Sequence, residues 1–151
     1  MKKIASFTIN HDTLEKGMYI SRIDGDVITY DIRMKKPNGG DYFKMDAAHT
    51  LEHLFATYAR NSAHGDKIVY VGPMGCRTGF YLLTRDLAPE HVLSALKNAL
   101  AATLAHEGEV FGATRKECGN YRELDLDAAK RECAAYLKVL EEHKGDFSYE
   151  Q

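Results

Sequence analysis

The sequence predicts an α+β fold in one domain, and three observations carry that expectation. A chain of 151 residues can bury a core without disulfide or metal staples. Strand patterns come first and then mix with helical patterns, rather than alternating strictly with them. No internal repeat, low-complexity tract or linker divides the chain, and Pro37, Pro73 and Pro89 fall where elements should begin or end.

Taken in order, the segment before residue 10 is a weak strand candidate. Residues 26–36 have a two-residue period: Val27, Thr29, Asp31 and Arg33 fall on one face, and Ile28, Tyr30, Ile32 and Met34 on the other. Pro37-Asn38-Gly39-Gly40 then signals a turn. The first helix is expected from Ala47 to Ser62, with Asp46 as N-cap and Gly65 just past the end. Residues 67–71 and 79–84 read as short strands. The second helix starts at Pro89, a residue suited to a first helical position, and runs to Glu107. The third runs from Leu126 to His143, with Asp125 as N-cap and Gly145 behind it.

Composition excludes several classes of function. Hydrophobic residues make up 44% and charged residues 28%, as in ordinary globular domains. Twenty basic residues face twenty-two acidic ones, so no basic stripe selects nucleic acid. No window is long and apolar enough for a membrane span. Met1-Lys2-Lys3-Ile4-Ala5-Ser6-Phe7 opens like a signal peptide, but Asn10-His11-Asp12 breaks it. Three cysteines, an odd number without Cys-x-x-Cys, argue against a disulfide framework. The expected location is the cytoplasm.

His49-Thr50-Leu51-Glu52-His53 is the most informative stretch. On a helix, His49 and His53 stand one turn apart on one face, where both imidazoles can reach one ion. Glu52 lies between them as a candidate general base, and Ala56 leaves room. Ala47, Leu51, Leu54, Phe55 and Tyr58 form the opposite, core-facing stripe. The histidines must therefore face solvent, another layer or a second subunit. Two histidines four apart also arise on a solvated helix face; the intervening Glu52 shifts the balance toward a metal with a base, as in His-x-x-Glu-His peptidases.

Such a site needs at least one more protein ligand. Cys118 is a candidate, with Gly119 behind it permitting a sharp turn; otherwise it is a small core residue. His64 competes, although its place near a helix end equally suits a dipole partner. Gly72-Pro73-Met74-Gly75-Cys76-Arg77-Thr78-Gly79 links two strands. It is no Walker loop, since Gly-Lys-Ser/Thr is missing. It presents Cys76 beside a basic residue, Arg77, and a cation beside a thiol favours the thiolate; the plain alternative is a tight hairpin with an incidental cysteine. Cys133 shares a stripe with Ala129, Tyr136, Leu137 and Leu140, which marks core packing.

Together these segments closely resemble the S-ribosylhomocysteine lyase family. The resemblance covers most of the chain and rests on five blocks. These are Ser6-Phe7 with Asn10-His11, Tyr30-Asp31-Ile32-Arg33, His49 to Leu54, Pro73 to Gly79, and Cys118-Gly119-Asn120-Tyr121-Arg122. It implies a small α+β domain built on an antiparallel sheet packed against helices, forming a homodimer with active sites at the interface. It implies His49, His53 and Cys118 as metal ligands, Glu52 and Cys76 as the acid/base pair, and Ser6, His11 and Arg33 as substrate-binding residues. The implied metal is Fe2+, with Zn2+ or Co2+ able to substitute, and no organic cofactor. The implied reaction cleaves S-ribosylhomocysteine to homocysteine and 4,5-dihydroxy-2,3-pentanedione, the autoinducer-2 precursor used in quorum sensing. Tyr70 and Gly72 depart from the family pattern, standing where Asp and Ser are expected.

Two other functions fit parts of this pattern. One is a His-x-x-Glu-His metallopeptidase, disfavoured by the short chain and by Cys118, since its third ligand is typically a Glu on a later helix. The other is a non-catalytic metal-binding relative. Release of free thiol from S-ribosylhomocysteine separates both from a lyase.

Overall fold

The computed structural model describes residues 1–149 and arranges them in two layers, a sheet and a set of helices. Strands β1 (Gly17–Asp24), β2 (Val27–Arg33), β3 (Ile68–Pro73) and β4 (Gly79–Arg85) form one sheet in the order β1-β2-β4-β3. Every neighbouring pair is antiparallel. Helix α1 (Met45–Arg60) crosses from β2 to β3, and α2 (Pro89–Ala105) and α3 (Leu126–Glu141) follow the sheet.

Period-two patterning explains how the layers meet. Tyr30 and Ile32 of β2, Phe80 and Leu82 of β4, and Met18 of β1 point to the helices and are buried. They pack in one cluster with Leu51 and Phe55 of α1, Val92 and Leu96 of α2, and Cys133, Tyr136 and Leu140 of α3. Each fully buried Leu or Phe contributes about 1.5–3 kcal/mol. The α1 stripe is thus held firmly on the sheet, which fixes the opposite face of α1 outward.

The other face of β2 was expected to carry Val27, Thr29, Asp31 and Arg33. Its last two members are also buried, because the chain end covers them. Ile20 donates its backbone N–H to the Phe147 carbonyl at 2.7 Å, and Tyr149 donates its hydroxyl to Asp31 Oδ2 at 2.8 Å.

Several expectations need correction. The segment before residue 10 is not a strand; it holds a 3-10 turn at Ala5–Phe7. Strand β1 was not anticipated. Only Met18 in it is fully buried, and a register shift between Ile20 and Arg22 breaks its alternation. Strand β2 stops at Arg33 rather than residue 36, because Met34 N and Lys35 N both turn to the Thr78 carbonyl. Lys44, not Asp46, is the N-cap of α1; Asp46 sits in the first turn, where its carboxylate accepts from Ala47 N. Asp125 does cap α3, accepting from Ala128 N at 3.0 Å.

Candidate metal centre and active site

Helix α1 carries His49 and His53 on the face away from the core stripe, with ring centroids 4.6 Å apart and planes at 89°. The segment 106–125, which contains no helix or strand, packs over them. His49 Nδ1 lies 2.8 Å from the Glu123 carbonyl, and His53 Nδ1 lies 2.7 Å from the Phe111 carbonyl. A carbonyl oxygen only accepts, so each Nδ1 carries the proton and each Nε2 keeps a free lone pair. Both imidazoles are thereby preset as ligands. The covering layer comes from the chain itself.

Cys118 belongs to the same segment, and its Sγ stands 3.4 Å from His49 Nε2. Its sulfur also receives the Asn120 backbone N–H at 3.4 Å. Ligand atoms from His49, His53 and Cys118 all lie within 4.8 Å of one another. Tetrahedral bonds of about 2.0–2.1 Å to nitrogen and 2.3 Å to sulfur place such donors roughly 3.5 Å apart. The trio therefore fits one divalent ion with little rearrangement. His64 is not part of it; its ring stacks on His91 at 5.8 Å.

Further partners fix the covering segment. His106 is buried between the Tyr58 hydroxyl at 2.7 Å and the Glu109 carbonyl at 2.8 Å. Gly112 has φ +70°, and a Cβ there would stand 3.2 Å from His53 Nδ1. At the far end Asp125 N donates to Thr50 Oγ1 of α1 at 2.7 Å.

Cys76 projects from the β3–β4 turn. That turn is closed by Arg77 N donating to the Met74 carbonyl, and Arg77 holds a left-handed φ of 61°. The nearby cation proves to be Arg33 rather than Arg77. Arg77 Nη1 reaches the Phe43 carbonyl, and its guanidinium lies over the Tyr42 ring. Arg33 Nη1 donates to Thr78 Oγ1 at 2.7 Å and lies 4.0 Å from Cys76 Sγ. Thr78 Oγ1 is 3.1 Å from that sulfur, and having accepted from Arg33 it can donate its own proton there. Arg33 Nη2 pairs with Asp31 Oδ2 at 2.7 Å, both side chains being almost fully buried. Burial works against the charge on Arg33, but the hydrogen bond and charge of Asp31 outweigh it and raise its pKa above the usual value.

Three clefts distribute the expected site residues. One of about 300 Å³ is lined by His49, Glu52, Met74, Gly75 and Arg77 among others. A neighbouring one of about 270 Å³ holds His11, Cys76, Arg77 and Thr78. Arg77 forms the wall between them, so Glu52 and Cys76 open on adjoining spaces. Ser6 lines a third cleft of about 420 Å³ on the outer face of the sheet, with Tyr70 and Tyr81. Arg33 lines none of these three, its two Nη groups being engaged as described.

The two departures, Tyr70 and Gly72, are coupled. The Tyr70 phenol lies against the Gly72 Cα, so a Cβ at position 72 would overlap the ring. Residues that the sequence did not assign to the site are Asp31 and Thr78 around the thiol, and Tyr58, His106 and Gly112 behind His53. Thr78 stood inside the glycine-rich motif, but the carbonyls of Phe111 and Glu123 leave no mark in a sequence.

The family model described as S-Ribosylhomocysteinase (LuxS) matches residues 4–146. A protein of Phocaeicola vulgatus named S-ribosylhomocysteine lyase is 49% identical over 149 residues, covering 95% of this chain and 92% of that one. The proteins of the same name from Clostridium acetobutylicum and Borreliella afzelii are 46% and 47% identical, with coverage of 85% and 93% of each chain.

Proposed function

The chain belongs to the S-ribosylhomocysteinase (LuxS) family, and from that membership we propose a metal-dependent lyase that splits S-ribosylhomocysteine into homocysteine and 4,5-dihydroxy-2,3-pentanedione. The observation that carries this reading is the convergence of two preset Nε2 atoms and the Cys118 thiol, with His49 and Glu52 lining one cleft. His49, His53 and Cys118 hold the ion. Two imidazoles and a thiolate suit a borderline-soft divalent metal, which we assign as Fe2+ with Zn2+ or Co2+ as substitutes. When bound, it supplies Lewis-acid stabilisation of negative charge on the substrate's carbonyl oxygens.

The remaining work is proton transfer by side chains. Cys76 Sγ, steadied by Thr78 and Arg33, takes a proton from a sugar carbon and returns it to the neighbouring one. Glu52 exchanges protons at the sugar oxygens from the adjoining cleft wall. Two such rounds move the carbonyl from C1 to C2 and then to C3. The C4 proton is then acidic, and its removal expels the homocysteine sulfur from C5. Both isomerisations are redox neutral overall, so no electron acceptor enters.

His11 beside Cys76 and Ser6 in the outer cleft serve substrate binding, with Arg33 acting from beneath the thiol. Because one chain leaves Ser6 in a separate cleft, we assign the complete site to a homodimer interface. Support comes from Ile4, Phe7 and Tyr70, large apolar side chains each more than half exposed. No helix among the described residues is long and apolar enough to cross a membrane, and the cytoplasm is the proposed location.

The test is release of free thiol from S-ribosylhomocysteine by anaerobically purified, iron-loaded protein. No thiol at full metal occupancy overturns the lyase. Full activity from a species that remains monomeric in sedimentation overturns the interface site.

A further inference from the structure

We propose that Tyr149, at the end of the described chain, is a positioning residue for Cys76, acting through Asp31 and Arg33. The inference rests on Cys76 being the acid/base group. The path is continuous. The Tyr149 hydroxyl donates to Asp31 Oδ2, the same oxygen accepts from Arg33 Nη2, and Arg33 Nη1 reaches both Thr78 Oγ1 and Cys76 Sγ. The tail is seated where this requires. Phe147 extends the sheet edge through its carbonyl bond to Ile20, and the Tyr149 ring stacks on Tyr19 at 5.0 Å.

Each member of the path has a fixed role. Burial, followed by the charge of Asp31, pushes the Tyr149 phenol well up, so it stays protonated and can only donate at physiological pH. Arg33 stays charged. Asp31 is the balance point between them, because a carboxylate served by a hydroxyl donor cancels less of its partner's charge. Removing the Tyr149 hydroxyl leaves Asp31 to neutralise Arg33 more fully, and the cation then favours a thiolate at Cys76 less.

Other charged or titratable groups face this assembly. Tyr81 of β4 has its pKa raised by burial first, with Asp31 and Cys76 adding to the rise and Arg33 opposing it. His11 shares the Cys76 cleft, and Arg77 lines it while engaging Phe43 and Tyr42. Tyr19 packs on Tyr149 from β1. Tyr136 of α3 faces Asp31 as well, its pKa raised by burial first, with Asp31 and Tyr19 adding and Arg33 opposing, and the Ser21 side chain meets the Tyr149 hydroxyl.

The experiment follows alkylation of Cys76 by iodoacetamide in the metal-loaded full chain, resolved by peptide mass spectrometry from pH 5 to 9. Tyr149→Phe keeps the ring and removes only the hydroxyl. It should slow Cys76 alkylation at pH 7 at least threefold and move the kcat profile toward alkaline pH, with KM unchanged. Asp31→Asn removes the neutralising charge and should change alkylation in the opposite direction. A merely structural role would not give opposite signs. An unchanged alkylation rate in Tyr149→Phe, or the same direction in both variants, overturns the proposal. Alkylation needs no substrate, so a wild-type chain that released no thiol would sink the lyase reading and leave this test intact.

Discussion

Gly112→Ala is the sharpest probe of how the metal centre is built. Gly112 sits at φ +70°, where an L side chain costs roughly 1–2 kcal/mol. Its new Cβ would stand 3.2 Å from His53 Nδ1 and 3.4 Å from Cε1, tighter than ordinary contact, so ring or loop must give by a few tenths of an ångström. The atom pushed is the one that donates to the Phe111 carbonyl at 2.7 Å. Loss of such an outer partner lowers metal affinity about 10–100-fold. At about 2–4 °C per kcal/mol for a chain of this size, the metal-free melting temperature should fall by roughly 2–8 °C. Competition for Co2+ or Zn2+ against a chromophoric chelator measures affinity, and calorimetry on the metal-free chain measures stability. A lower melting temperature with unchanged affinity would refute the argument, since His53 would then bind metal without the Phe111 carbonyl or would not bind it at all.

The cysteines should separate cleanly. Cys118→Ala should lose metal by elemental analysis, whereas Cys76→Ala should keep a full complement and release no thiol; metal loss in the latter would show the two roles exchanged. Cys133 offers a pH prediction. Burial, with Glu132 adding to it, pushes this thiol up to about 12, while an unfolded cysteine titrates at about 8.5. The unfolded chain therefore releases this proton first, so stability is complete below about pH 8.5 and declines as pH rises toward 12. Urea titrations of Cys133→Ala should show a shallower alkaline decline and unchanged activity at pH 7, and an identical slope would contradict the assignment.

What was legible in the sequence follows from what periodicity can encode. The face of α1 that carries His49, Glu52 and His53 could be separated from the Leu51 and Phe55 stripe because helical period fixes both. Cys133 was readable as core for the same reason, and it has no exposed surface. Strand β1 escaped because a register shift and exposed residues at its far end erase the alternation that marks a strand. Arg77 was taken as the cation nearest Cys76 because it is next in sequence. The left-handed turn sends its side chain to Phe43 and Tyr42, and a residue forty-three positions away takes the place. The Tyr70–Gly72 coupling was visible as two separate departures, but only the ring lying on the bare Cα makes them one event.

The segment 106–125 raises a question of stability as well as chemistry. A long connection without regular structure is unusual in a compact domain and needs specific anchors. Here those anchors include His106 between Tyr58 and Glu109, the Phe111 ring against Tyr58, Asp125 N on Thr50, and the Phe111 and Glu123 carbonyls on the two histidines. Two of these are hydrogen bonds to groups that would bind metal, and Cys118 adds a third candidate ligand from the segment itself. An ion that draws the Cys118 thiolate toward His49 and His53 therefore closes the segment onto α1 with the same bonds that hold the ion. Metal affinity and the order of this segment become one linked quantity. On that linkage the candidate ligand face can lie away from the hydrophobic core, because coordination and main-chain hydrogen bonds would add to the packing of Phe111 on Tyr58 in holding its cover.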